Sequence, residues 1–180
     1  MNEDPKSALG ALGLVLVLVG GFALLPRVFG KREPAIVGHD TPDFTAPLVA
    51  NGQGVGDGKE VHLGALRGHA VLLDFWATWC EPCRIEAPIV DGVSRRWRDQ
   101  GVVVVGVDTD GRDQGDPRAF ALAKGLSYPI AHDTSGEAQR AFGVEALPTL
   151  VVISRTGKIV AMRTGITSSE ELEQLVRKAL

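Results

Sequence analysis

The chain has two cysteines, Cys80 and Cys83, with only Glu81 and Pro82 between them. At that spacing the sulfurs are close enough to form a disulfide. Pro82 suits the first turn of a helix, where a missing N–H breaks no bond. An apolar strand candidate ends just before Trp79, so Cys80 falls at a helix N-terminus, where unpaired amides and the helix dipole stabilise a thiolate. The chemistry open to such a pair is thiol–disulfide exchange. The Cys80 thiolate attacks a partner disulfide, a mixed disulfide forms, and Cys83 resolves it by attacking Cys80. Zinc binding would need two further ligands, and His39, His62, His69 and His132 are isolated in sequence with no second cysteine pair. Inert core thiols do not suit a helix start.

Two carboxylates are placed to serve this pair. Asp74 interrupts an otherwise apolar run six residues before Cys80, and Glu86 follows Cys83 by three. Burial would raise both pKa values and couple their titrations, so one or both are expected to accept and return the Cys83 proton. The alternative for Glu86 is a solvent-facing side chain or an ion pair with Arg84 or Arg95. Glu81 puts a negative charge beside Cys80, which disfavours the thiolate and predicts a reducing pair. Pro148, within Leu147-Pro148-Thr149, is either an ordinary first residue of a strand or a cis-proline forming a backbone ledge beside the thiols.

The elements that must hold these groups read as one alternating α/β domain. Residues 44–49 and 59–63 are short strand candidates around a glycine-rich loop, 51–58, that suits a hairpin. A dinucleotide-binding fingerprint there is excluded by its spacing and by the lack of a following helix. Residues 70–75 and 102–107 read as buried strands. Residues 81–98 read as a helix, with Ile85, Ile89, Val90, Val93 and Trp97 at helical spacing and a kink expected at Pro88. Helices over 117–124 and 135–142 and strands over 150–154 and 158–163 follow. A helix over 168–180 closes the chain, with Ser168 and Glu171 at capping-box spacing. This alternation predicts a mixed, largely parallel central sheet flanked by helices, with the last hairpin as an antiparallel edge.

Ahead of the domain, residues 8–25 form a run of 18 residues without a charge. As a helix it would be about 27 Å long, near the roughly 30 Å hydrocarbon thickness of a bilayer. No small-x-small cleavage site follows Leu25, so the run is read as an uncleaved transmembrane anchor rather than a signal peptide. The organisation expected is a tail over 1–7, an anchor over 8–25, a linker over 26–40 and a domain over 41–180. Arg27, Lys31 and Arg32 on the C-terminal flank would by themselves favour a cytoplasmic domain. That rule weakens for large translocated domains, and thiol chemistry outside the membrane is a common reason for such a tether. The expectation is a single-pass protein with its domain on the extracytoplasmic, periplasmic side. With 19 basic and 22 acidic residues and a formal net charge of −3, nothing favours a nucleic-acid partner, and 44% hydrophobic residues argue against bulk disorder.

The stretch Phe75-Trp-Ala-Thr-Trp-Cys-Glu-Pro-Cys-Arg-Ile-Glu86, with Pro88 and the distant 143–149 segment, resembles the thioredoxin superfamily, specifically its membrane-anchored TlpA/ResA-type thiol-disulfide oxidoreductases. The likeness spans roughly 40–180, and the candidate hairpin after Phe44 is similar to the extra N-terminal hairpin of that group. The resemblance implies a thioredoxin fold with Cys80 as nucleophile, Cys83 as resolving thiol, Pro148 as cis-proline and Glu86 as the acidic residue of the CEPC-x-x-E pattern. Trp79, Glu81 and Pro82 complete the active-site motif, and Leu147 and Trp79 are taken as the residues that meet the substrate. It implies an extracytoplasmic reductant of protein disulfides, with the heme-binding cysteine pair of apocytochrome c as a candidate substrate and a membrane thiol carrier as electron donor. No cofactor is expected beyond the Cys80–Cys83 disulfide itself. Asp74 stands where ResA-like members more often carry asparagine, and Ala146 where glycine is common.

Other classes fit less well. The alternative within redox chemistry is a general thiol-disulfide or peroxide reductase of redox homeostasis. A peroxiredoxin would want Pro-x-x-x-Thr-x-x-Cys, whereas Thr78 lies two residues before Cys80 and position 73 is Leu. A copper-delivery protein of Sco type would space its cysteines by three and add a late histidine, and none follows His132. A metallochaperone is thus the weaker alternative of a different class. The run from Asp108 to Asp113 lacks the glutamate of a calcium loop, since Ala119 occupies the twelfth position, and reads as a polar loop.

Overall fold

The structure is a computed structural model that describes residues 34–53 and 55–180. Seven strands form one sheet: β1 (Thr45–Ala50), β2 (Glu60–His62), β3 (Ala70–Trp76), β4 (Val102–Asp108), β5 (Ile130–His132), β6 (Thr149–Ile153) and β7 (Ile159–Thr164). Four helices are interleaved: α1 (Glu81–Trp97), α2 (Pro117–Lys124), α3 (Glu137–Ala141) and α4 (Ser169–Ala179). The strand order is β2-β1-β5-β4-β3-β6-β7.

The sheet is mixed, but it is not largely parallel. Only β3–β4 and β4–β5 pair in parallel; β1–β2, β1–β5, β3–β6 and β6–β7 are antiparallel. The parallel pairs are those joined by the crossover helices α1 and α2. Alternation of helix and strand in a sequence marks such crossovers, but it does not give the direction in which β6 returns beside β3. Strand β5 escaped the sequence reading because its three residues, between Pro129 and Asp133, are too few to show a period.

Strand periodicity places the chemistry. All seven residues of β3 are buried, with Val71, Leu73 and Phe75 in one core and Leu72 and Trp76 in the other. Period two puts Asp74 on the face of Leu72 and Trp76, the face that α1 covers. In α1 the buried stripe is Cys83, Glu86, Ala87, Val90, Asp91, Val93, Ser94 and Trp97, while Ile85 is 54% exposed. The helix runs on through Pro88 to Trp97. Among its buried polar groups, Asp91 accepts from the Ser127 amide and hydroxyl and pairs with Arg95.

At the other end of the chain, Ser168 caps α4 by accepting from the Glu171 amide, as the capping-box spacing anticipates. Helix α3 is shorter than the 135–142 reading and starts after Gly136 in the left-handed region. The segment before β1 lies against the β6–β7 turn and β7: Gly38 N donates to Ile159 O, and Thr41 N to Gly157 O. Among the described residues no helix is long and apolar enough to cross a membrane, and the 8–25 anchor reading lies outside them.

Candidate active site

Strand β3 delivers the chain to the site. After Trp76 a three-residue loop leads to Cys80, which is the N-cap of α1: its backbone is extended and its Sγ accepts from the Cys83 amide at 3.2 Å. Pro82 occupies the first turn. Cys80 and Cys83 are joined as a disulfide with their Cα atoms 5.3 Å apart, and both are buried, at 3% and 2% exposure. An N–H aimed at Cys80 Sγ from a helix N-terminus is what a thiolate there would need. Trp79, immediately before, is 68% exposed.

The loop that carries Pro148 comes from the far side of β3. Phe75 pairs with Thr149, so residues 146–148 enter β6 level with the end of β3. The Leu147–Pro148 peptide is cis, which decides between the two sequence readings of Pro148. The Pro148 carbonyl accepts from Gly165 N at 2.9 Å, and Thr149 Oγ1 donates to Ala146 O at 2.8 Å. Leu147 is half-buried beside them.

Both carboxyls marked in the sequence are buried. Glu86 neither faces water nor pairs with Arg84 or Arg95. It is 1% exposed, its Oε1 accepts from Thr167 N at 2.7 Å, and its Oε2 has no hydrogen-bond partner. Arg84 is engaged with Glu81 at 3.4 Å, and Arg95 with Asp91. Burial pushes Glu86 up to about 7, against the opposing hydrogen bonds from Thr167. Asp74 is 3% exposed and accepts from Tyr128 Oη at 3.0 Å. Burial first, and the charge of Glu86 second, raise it to about 8. The two therefore feel each other, with Glu86 one turn along α1 from Cys83 on the same buried face.

The pair's partners, Tyr128 and Thr167, were not found from the sequence. Tyr128 precedes a three-residue strand and Thr167 donates a backbone N–H, so neither leaves a pattern. A second buried acidic group was also missed as such. Asp108 and Asp110, read as a polar loop, are 0% and 1% exposed, and His132 lies 3.3 Å from Asp108 Oδ2. Two aspartates ending a buried valine strand were the available signal. Glu81, by contrast, is mostly exposed and partly neutralised by Arg84, which weakens its influence on Cys80. Among the described residues no group of three or more His, Cys, Asp or Glu side chains converges as a metal site.

A family model described as the AhpC/TSA family matches residues 37–162. Thiol-disulfide oxidoreductase ResA of Bacillus cereus (strain ATCC 10987 / NRS 248) is 31% identical over 167 residues, covering 92% of each chain. The chain belongs to the AhpC/TSA family, among thiol-disulfide oxidoreductases of ResA type. A Chlorobium tepidum protein provisionally described as thiol:disulfide interchange protein DsbE superposes with a TM-score of 0.67 at 32% identity, covering 78% of this chain and 94% of that one. An exposed lipoprotein thioredoxin of Streptococcus pneumoniae (strain TIGR4) does so at 0.62 and 29%, covering 76% and 99%. The fold is thioredoxin-like, with the β1–β2 hairpin on one edge of its sheet, and the ResA-type relatives make the Cys80–Cys83 disulfide the redox pair of an enzyme.

Proposed function

We propose that this protein is a membrane-tethered, extracytoplasmic reductase of protein disulfides, and that the heme-binding cysteine pair of apocytochrome c is its substrate class. The observation that carries the reading is a buried Cys80–Cys83 disulfide at a helix N-terminus with two buried, proton-holding carboxyls behind it. The apolar 8–25 run supports the tether. The similarity to an exposed lipoprotein thioredoxin supports the location.

In the proposed cycle the Cys80 thiolate attacks one sulfur of the partner disulfide. That S–S bond breaks, and the departing partner thiolate takes up a proton. Glu86, with Asp74 coupled to it, takes the proton from the Cys83 thiol. The Cys83 thiolate then attacks Cys80 Sγ, expelling the second partner sulfur as a thiolate that takes up the proton Glu86 returns, and leaving the Cys80–Cys83 disulfide. Two electrons have passed to the partner, and a membrane dithiol donor restores the reduced pair. Trp79 and Leu147 supply apolar contact to the partner. Asp74 and Glu86 hold the proton in a dry site, so its transfer does not wait on bulk water.

The experiment is trapping with Cys83→Ala in the full-length chain. Without the resolving thiol the mixed disulfide accumulates, and its partner is identified by mass spectrometry. Apocytochrome c among the trapped proteins supports the maturation role, and a broad set of unrelated partners points to a general thiol reductase. A Cys80/Cys83 potential near the roughly −120 mV of a strong oxidant, rather than near −270 mV or below, reverses the electron flow and refutes the reductase reading.

A further inference from the structure

The loop that carries Trp79 and Cys80 is fastened from β4 and the segment after it. Thr109 donates to Trp76 O from both its amide, at 2.8 Å, and its hydroxyl, at 3.1 Å. Asp110 Oδ2 accepts from Thr78 N at 3.0 Å and from Thr78 Oγ1 at 2.6 Å. Arg84 closes the other side, with Nη2 donating to Thr78 O at 2.8 Å. Gly115 leaves the room for this: a Cβ there would sit 2.6 Å from Asp110 Oδ2 and closer still to Thr78 Oγ1.

Behind this fastening three buried carboxyl oxygens lack hydrogen-bond donors: both of Asp108 and Oδ1 of Asp110. The two stand two residues apart at the end of β4, both fully buried, and burial first and the Asp110 charge second push Asp108 up to about 8. Two fully buried carboxylates this close cannot both be ionised without a cation between them. From the neighbouring strand β5, His132 Nε2 lies 3.0 Å from the Asp110 carbonyl, to which it must donate, and 3.3 Å from Asp108 Oδ2. Asp133, next along, turns its carboxylate instead to Ser135 and Gln139. From the loop after β3 the groups that face the pair are Thr78 and Trp76, neither charged.

We propose that Asp110 is a positioning residue of the active-site loop, acting as half of a carboxyl pair in which Asp108 carries one proton and donates it to Asp110 Oδ1. This arrangement gives each orphaned oxygen a role. One Asp108 oxygen is the O–H donor and Asp110 Oδ1 its acceptor, while Asp108 Oδ2 rests beside His132. The carboxylate that already accepts two bonds from Thr78 keeps the negative charge, because hydrogen bonds to the charged form favour it. Asp110 thereby sets where Trp79 is presented and where Cys80 begins α1. The role depends on Cys80 being the attacking thiol, but not on the direction of electron flow.

The test compares Asp110→Ala, Asp110→Asn and Thr78→Val in the full-length chain. It reads insulin disulfide reduction and the pH dependence of tryptophan emission, the latter in an Asp74→Asn background so that Asp74 does not titrate. Asp110→Ala is expected to slow insulin reduction by roughly tenfold, the scale of losing bonds to a charged acceptor. Asp110→Asn, whose amide oxygen still accepts from Thr78 and whose N–H can donate to Asp108, restores the rate to within about twofold. Thr78→Val, which keeps the Asp110 side chain and removes one bond, loses roughly fivefold and covers the case in which Asp110→Ala does not fold. The Asp74→Asn background shows an emission change as Asp108 loses its proton near pH 8, and adding Asp110→Asn, which removes the Asp110 charge but not the burial, moves that change to lower pH. Wild-type rates in both Asp110→Ala and Thr78→Val overturn the positioning role. An emission change left in place by Asp110→Asn overturns the shared proton. The emission readout needs no substrate, so a failure of the reductase reading leaves it standing.

Discussion

Replacing Asp74 by asparagine should change the sign of its effect on stability with pH. In the folded protein Asp74 holds its proton up to about 8, against an ordinary value of 3.8. A carboxyl whose folded pKa is raised contributes stability that is complete below its unfolded pKa and is lost as pH rises to the folded one. At neutral pH the folded state has given up about three pH units of this linkage, or ~4 kcal/mol at ~1.4 kcal/mol per unit. Asparagine does not ionise, so it recovers that amount. It keeps an oxygen to accept from Tyr128, but it buries an amide N–H₂ without a second partner, a loss of ~2 kcal/mol. The net expectation is a variant destabilised by ~2 kcal/mol near pH 4 and stabilised by ~2 kcal/mol near pH 7. Urea denaturation of the oxidised 34–180 fragment, followed by tryptophan fluorescence at both pH values, reads the difference directly. The same variant should slow resolution of the mixed disulfide above about pH 8, where Asp74 has lost its proton and can act as an acceptor, and leave it nearer wild type at neutral pH, where Glu86 takes the Cys83 proton. An effect on stability that is the same at both pH values would refute the buried, proton-holding Asp74, and with it the proposed proton route.

Other substitutions probe the same site from different sides. Glu86→Gln keeps an acceptor for Thr167 N but removes the charge that helps raise Asp74; the limb on which the remaining resolution rate rises with pH as Asp74 ionises should move to lower pH, and an unmoved limb would separate the two carboxyls. Glu81→His should raise the Cys80/Cys83 potential by no more than about 20 mV, since Glu81 is exposed and paired with Arg84; redox titration reads it, and a fall would reverse the electrostatic argument. Gly106→Ala would place a Cβ 2.8 Å from Ile130 Cδ1 and 2.9 Å from both Trp76 Nε1 and Tyr128 Cε2. It should cost ~1–3 kcal/mol by overpacking. By displacing Tyr128 from Asp74 it should also raise the Asp74 titration further, and thermal unfolding with a pH titration would show both.

The sequence by itself determined the redox pair and most of the frame around it. Cys80 and Cys83 with Pro82 at a helix start carry their chemistry in their spacing, and the apolar runs at 70–75, 102–107 and 150–154 became strands because their pattern is local. Asp74 was legible because a charged residue inside a buried strand has no local reason to be there. Tertiary structure decided what no local pattern encodes. The direction of β6 beside β3 depends on how a loop returns, so a sheet expected to be largely parallel is antiparallel in four of its six pairings. The burial of Glu86 depends on α1 presenting it to the loop before α4, where Thr167 waits 81 residues away in sequence. The pairing of Asp108 with His132 requires β5, whose three residues are too few to show a period. Side-chain identity and spacing fix what a residue can do, whereas desolvation and charge proximity, which set its protonation, exist only once distant segments have packed around it.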